Sequence, residues 1–173
     1  FTECKRVKLG RLNSRVFVSF GGSDPTEETI KLVKEIVKKD FAEINFDIII
    51  GNANPNYDDI LKVAQKKKKN INIHRNVDNM AELMCRADIG IGSGGSTTWE
   101  RLCLGLPSLI VIVADNQRQI AAAVAKCGAA IVLGDSQQVT GEMMWKTLVQ
   151  YLDSPETLEK ITVAGKKLVD GRG

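Results

Sequence analysis

Two hydrophobic periods alternate along the chain. Val16-Phe17-Val18-Ser19-Phe20, Phe46 to Ile50, Ile71 to Ile73, Asp88 to Ile91, Leu109 to Val113 and Ala129 to Leu133 are short runs dense in apolar residues, and they read as strands. Between them the apolar positions fall at helical spacing. Ile30, Val33, Ile36 and Val37 form one such stripe, Ile60, Leu61 and Ala64 a second within Tyr57 to Lys68, and Met80, Leu83 and Met84 a third within Asn79 to Arg86. Further helices are expected from Ser96 to about Leu104, from Gln117 to Lys126, and over residues 140–152 and 155–169. Gly128 follows Lys126 closely enough to serve as a left-handed cap. Leu109 to Val113 is almost unbroken in its apolarity, as a parallel strand buried on both faces should be. The alternation predicts an α/β fold: a Rossmann-like parallel sheet of about six strands with helices on both faces, joined by right-handed crossovers. Ligands of such sheets bind at the carboxyl ends of the strands.

Residues 1–14 are basic and aperiodic and read as a linker from an upstream domain, leaving 15–173 as one globular domain. The first residue is Phe rather than Met, which reads as a piece of something longer. With 24 Lys+Arg against 21 Asp+Glu and only 5% aromatic residues, the chain has neither a basic face for duplex nucleic acid nor stacking platforms for single strands. The longest apolar stretches fall well short of the roughly 20 residues that cross a bilayer, so no membrane span is expected. Cys4, Cys85, Cys103 and Cys127 are far apart, and His74 is the only histidine, so no metal site is expected. Cys85, Cys103 and Cys127 sit among small apolar residues, where a free thiol acts as a small hydrophobe. That reading implies a reduced, cytoplasmic protein.

Two glycine turns lie where this architecture places ligands. Gly21-Gly22-Ser23 follows the first strand, and Gly92-Ser93-Gly94-Gly95-Ser96-Thr97 follows the fourth and opens a helix. Without Cβ atoms the backbone can approach an anion closely, and free helix amides with the Ser96 and Thr97 hydroxyls can donate to phosphate oxygens. Neither turn matches the Walker or dinucleotide pattern. A tight strand-to-helix turn is the alternative for Gly21-Gly22. Glu100, one helical turn beyond Ser96, could accept from both hydroxyls of a ribose, or it could close a capping box. Asn116-Gln117 opens a helix directly after the most apolar strand and either faces the ligand crevice or is a polar cap. His74, directly after the third strand, could act as a base or be a partly buried loop histidine.

The run Asp88-Ile89-Gly90-Ile91-Gly92-Ser93-Gly94-Gly95-Ser96-Thr97-Thr98-Trp99-Glu100-Arg101, then Cys103-Leu104-Gly105-Leu106-Pro107-Ser108 and Ala114-Asp115-Asn116-Gln117, resembles the carboxy-terminal half of the UDP-sugar hydrolases of pseudaminic acid biosynthesis. Val18-Ser19-Phe20-Gly21-Gly22-Ser23-Asp24-Pro25 and Asn79-Met80-Ala81-Glu82-Leu83-Met84 are similar to the same family, and the likeness covers Arg15 to Gly173. Singly, these motifs occur across the two-domain GT-B glycosyltransferases, including MurG-like enzymes. The resemblance implies the UDP-binding domain of a GT-B enzyme. Gly94, Gly95, Ser96 and Thr97 would meet the diphosphate, Glu100 the ribose, and His74, Arg75, Asn76 and Met80 the uracil. Gly21, Gly22 and Ser23 would line the phosphate side of the cleft. It further implies hydrolysis of UDP-2,4-diacetamido-2,4,6-trideoxy-β-L-altropyranose by water, without metal or cofactor. The family's catalytic histidine lies in a glycine-rich turn of an amino-terminal domain, so no residue here inherits a catalytic role and the chain alone is expected to be inactive. Two other functions fit the same residues: the donor domain of a MurG-like glycosyltransferase, and a non-catalytic module that binds nucleotide sugars.

Overall fold

The computed structural model describes residue 4 and residues 13–41, 43–67, 69–75 and 77–169. Six strands are formed there: β1 (Ser14–Ser19), β2 (Ile44–Ile50), β3 (Ile71–Arg75), β4 (Ile89–Ser93), β5 (Ser108–Ile112) and β6 (Ile131–Asp135). The helices are α1 (Glu28–Ile36), α2 (Tyr57–Ala64), α3 (Met80–Arg86), α4 (Thr97–Cys103), α5 (Arg118–Lys126), α6 (Gly141–Leu152) and α7 (Pro155–Leu168). All strand pairs are parallel, in the order β3-β2-β1-β4-β5-β6, which is the doubly wound sheet that the alternating periods predict. The chain changes direction across the sheet between β1 and β4. Helices on either side of that switch diverge to opposite faces and leave a crevice above the strand ends.

Period-two burial divides the side chains between the two faces. Val16 and Val18 of β1, with Phe46, Ile48, Ile89, Ile91, Leu109 and Val111, pack under α1, α2 and α6 through Leu32, Val33, Ile60, Met144 and Leu148. Phe17 and Ile49 face the other way, onto Leu83 and Met84 of α3. Ile110 lies on Leu102 of α4 and on Ala121 and Val124 of α5. The central strands are therefore covered on both sides, as continuous apolar runs require. Gly128 takes φ +66 behind α5, so the left-handed cap forms as its position suggests.

Several boundaries differ from the sequence expectation. β3 continues through His74 and Arg75, so His74 is a strand residue rather than a loop residue. The helix expected to reach Lys68 tightens into a 3-10 turn over Gln65–Lys67. β6 starts at Ile131 because Ala129 and Ala130 are buried in the turn out of α5, and its register to β5 slips next to Gly134, at φ +127. Ser14, assigned to the linker, is buried and begins β1. Most of that linker, residues 1–3 and 5–12, lies outside the described residues.

The thiol reading also requires correction. Cys85 is not a free small hydrophobe: it is disulfide-bonded to Cys4 with Cα atoms 5.4 Å apart, packed beside Met84 and Ala87. A separation of 81 residues hides this pair from any spacing rule. Cys127 is exposed rather than packed, and Cys103 is half-buried. Disulfides persist mainly in oxidising surroundings, so the thiol argument for a reducing compartment does not hold. Among the described residues no helix is long and apolar enough to cross a membrane.

Candidate functional site

The turn between β4 and α4 lies beside the topological switch. β4 carries glycine at position 90, where a Cβ would crowd Ser108 Oγ and Leu106, and at position 92, where Arg101 of α4 lies against the strand. A Cβ on Gly92 would stand 2.2 Å from Arg101 Nη1 and 2.3 Å from the Ser19 carbonyl oxygen. Beyond Ser93 the chain turns through Gly94, Gly95 and Ser96 into α4. Among the described residues no acceptor faces the amides of Gly95, Ser96 or Thr97, and Ser96 makes no capping bond with its side chain. A Cβ on Gly95 would make only ordinary contacts, its nearest neighbour being Gln117 Nε2 at 3.7 Å. Here the Gly95, Ser96 and Thr97 amides sought from the sequence are in place and unengaged among the described residues, whereas the Gly94 amide is taken by Gln117.

The turn between β1 and α1 is built differently. Gly21 takes φ +91 and, with Gly22 and Ser23, is exposed. Gly22 lies against the loop after β2, where a Cβ on Gly51 would meet Gly22 backbone atoms at 2.2–2.5 Å. Asp24 follows at φ +44, 3% exposed, and its carboxylate accepts from the Glu28 and Thr29 amides at 3.0 and 2.9 Å. Glu28, fully buried, accepts from Ser136 Oγ and pairs with Lys31 Nζ at 2.8 Å. The first amides of α1 are thus occupied by an internal carboxylate, and the expectation of free helix amides holds at one turn of the two.

Gln117 joins the glycine turn to the next strand end. It closes a 3-10 turn (Asp115–Gln117), and its Oε1 accepts from the Gly94 amide at 3.1 Å and from the Val113 amide at 3.2 Å. Asn116 beside it is exposed. A cavity of about 200 Å³ opens next to this turn, lined among others by Thr26, Val113, Asp115, Arg118, Asp135 and Ser136. Glu100 is half-buried on α4, and among the described residues no group donates to its carboxylate, so the capping-box alternative has no bond to rest on.

The residues expected at a base pocket are spread around the end of β3. His74 points along the sheet: its Nε2 lies 2.9 Å from Asp47 Oδ1, while Arg15 Nη1 donates to Asp47 Oδ2 at 2.8 Å. Burial alone would raise the Asp47 pKa, but hydrogen bonds from His74 and Arg15 outweigh it and hold the carboxyl below its usual range. Arg75 lies over the Tyr57 ring, 4.2 Å from its centroid. Met80 opens α3, half-buried, and Asn76 lies outside the described residues.

Sequence reasoning missed Arg101, although its position was legible. Thr98, Arg101 and Leu102 share one helical face, spaced three and four residues apart, and that face packs on the sheet. Arg101 is 1% exposed, and its Nη2 donates to the Ser93 carbonyl at 2.7 Å and to Thr98 Oγ1 at 3.0 Å.

Comparison with known proteins now gives these features a family. The model of the family described as Glycosyltransferase family 28 C-terminal domain matches residues 15–169. The spore coat polysaccharide biosynthesis protein SpsG of Bacillus subtilis is 30% identical over 159 residues, 91% of this chain and 47% of that protein. The UDP-N-acetylglucosamine--N-acetylmuramyl-(pentapeptide) pyrophosphoryl-undecaprenol N-acetylglucosamine transferase of Acetivibrio thermocellus is 27% identical over 173 residues, 96% of this chain and 47% of that enzyme. The crystal structure of Acinetobacter baumannii MurG superposes with a TM-score of 0.70 at 18% identity, over 91% of this chain and 46% of that one. The chain therefore spans about half the length of these relatives. Its fold is that of one half of a GT-B enzyme.

These findings overturn one expectation. The resemblance to UDP-sugar hydrolases implied that the full protein passes the sugar to water. The family matched is a glycosyltransferase domain, and several curated relatives matched along nearly the whole chain are named as transferases, so the hydrolase assignment does not stand. What the match shows is this broader family.

Proposed function

The chain belongs to the glycosyltransferase family 28 C-terminal domain family, and from that premise we propose that it is the donor-binding half of a two-domain, MurG-like glycosyltransferase. The single observation that carries the reading is the open turn at the switch between β1 and β4, where the Gly95, Ser96 and Thr97 amides face no acceptor among the described residues. In this reading the diphosphate of a UDP-sugar lies on Gly94, Gly95, Ser96 and Thr97, and Glu100 accepts from the ribose hydroxyls. Arg75, Asn76 and Met80 frame the uracil, whereas the His74 side chain stays with Asp47. Gly21, Gly22 and Ser23 form the facing wall. Asn116 and Gln117 border the sugar, for which the cavity beside Asp115 and Arg118 offers hydrogen-bonding groups.

The chemistry then divides between two halves. An acceptor oxygen bonds to the anomeric carbon as the bond from that carbon to the β-phosphate oxygen breaks. UDP leaves with the electron pair, and the acceptor's proton passes to a base. This chain holds the leaving group through fixed donors aimed at the developing charge. An upstream half supplies the acceptor site and the base. Polysaccharide biosynthesis is the proposed setting. Isothermal titration of the chain with UDP, ADP and GDP tests the reading: UDP should bind most tightly, and equal affinity for all three would remove the uridine assignment.

A further inference from the structure

Among the described residues no carboxylate forms an ion pair with the buried Arg101. Its buried Nε and Nη1 find no hydrogen-bond partner among the described residues, while Nη2 is satisfied by two neutral oxygens. Burial pushes its pKa down to about 10, with the Glu100 carboxylate working weakly the other way, so it keeps its charge at neutral pH. An uncompensated buried charge is costly, and one such group in a folded core calls for an explanation. Ser93 O and Thr98 Oγ1 alone could be held by a neutral amide, so a structural clasp does not account for the charge.

Its place supplies the account. The guanidinium lies against Gly92, on the side where that residue also faces the Ser19 carbonyl of β1, and bonds the carbonyl of Ser93, the residue that leads into the turn. The buried charges flanking the crevice are of opposite sign. Asp24 and Glu28 lie behind the β1 turn, and Arg101 lies behind the β4 turn. We propose that Arg101 is the built-in counter-charge for the donor's diphosphate: a positioning residue that holds the glycine turn in shape and biases it toward polyanionic ligands. The inference deepens the donor reading and rests on it. In a low-dielectric site such a charge acts through the backbone without touching the ligand. Its effect should therefore grow with the charge of the ligand.

The test is a titration series with uridine, UMP, UDP and inorganic pyrophosphate on the chain and on Arg101→Gln, Arg101→Met and Arg101→Lys. Arg101→Gln keeps a donor for Ser93 O and removes the charge, and it remains informative if Arg101→Met does not fold. UDP affinity should fall about tenfold or more in Arg101→Gln. UMP should lose less, uridine should be unchanged, and Arg101→Lys should restore most of the UDP affinity. Parallel losses for uridine and UDP would show a clasp alone and overturn the inference, as would an Arg101→Gln chain that binds UDP normally. A chain that takes pyrophosphate but does not prefer uridine would break the donor reading, leaving Arg101 to be judged on pyrophosphate. A chain that takes neither anion overturns both.

Discussion

The two glycine turns look alike in the sequence and differ in what lies behind them. After β1, the turn ends on Asp24, whose carboxylate fills the amides of α1, and Glu28 adds a second buried carboxylate. After β4, the Gly95, Ser96 and Thr97 amides meet no acceptor among the described residues, and the buried charge is the Arg101 guanidinium. Glycine spacing shows where a backbone can approach a ligand; the sign of the charge beneath it decides which ligand comes. An anion is already built into the first turn, and the second lacks one.

The largest expected effect comes from the glycines themselves. Gly92→Ala would drive a methyl into the Ser19 carbonyl oxygen and Arg101, and it should cost about 3 kcal/mol or more of stability in urea unfolding. Gly95→Ala, which has room, should stay within about 0.5 kcal/mol of the parent yet weaken UDP by blocking close approach. Glu100→Ala should weaken UDP by roughly 1–3 kcal/mol, as expected when hydrogen bonds to a charged acceptor are lost, with its melting temperature nearly unchanged. Asp24→Ala should behave in the opposite way, losing about 1–2 kcal/mol of stability with its cap while UDP affinity barely moves. If Asp24→Ala impaired UDP and Glu100→Ala impaired folding, the contrast between the turns would be reversed.

The smallest effect is one of pH, on the carboxylate side of the molecule. Asp47 titrates below its ordinary value because His74 and Arg15 bond its charged form despite burial. A lowered folded-state pKa stabilises the fold above the unfolded value of about 3.9 and is lost as pH falls through the folded value. Urea midpoints measured from neutral pH down to about 2 should therefore fall below pH ~4. The fall should be shallower in Asp47→Asn, and equal slopes in the two chains would remove Asp47 from the account.

Much of the architecture was legible because period and burial coincide. The nearly unbroken apolarity of Leu109 to Val113 marked β5, and the Ile30, Val33, Ile36 stripe marked α1. What escaped depends on partners distant in sequence. The Cys4–Cys85 bond joins residues 81 apart, and His74 turns to Asp47 on the neighbouring strand, 27 residues away. At the site, the open turn and Glu100 could be named from spacing. Asp24 bonds amides only four and five residues on, and Arg101 shares a helical face with Thr98 and Leu102, so both places were legible, but that each charge is buried beneath its turn follows only from the packing of the helices on the sheet. Gln117 was anticipated at the crevice but not as the acceptor that links Gly94 to Val113.

The central claim is that the ligand's phosphates sit on the β4 turn and not on the β1 turn. Backbone amide resonances followed by NMR during titration with UDP test it most directly. The account predicts the largest shifts at Gly94, Gly95, Ser96 and Thr97, with Glu28 and Thr29, held by Asp24, nearly still. Saturable shifts centred on Glu28 and Thr29, with the β4 turn unmoved, would contradict it.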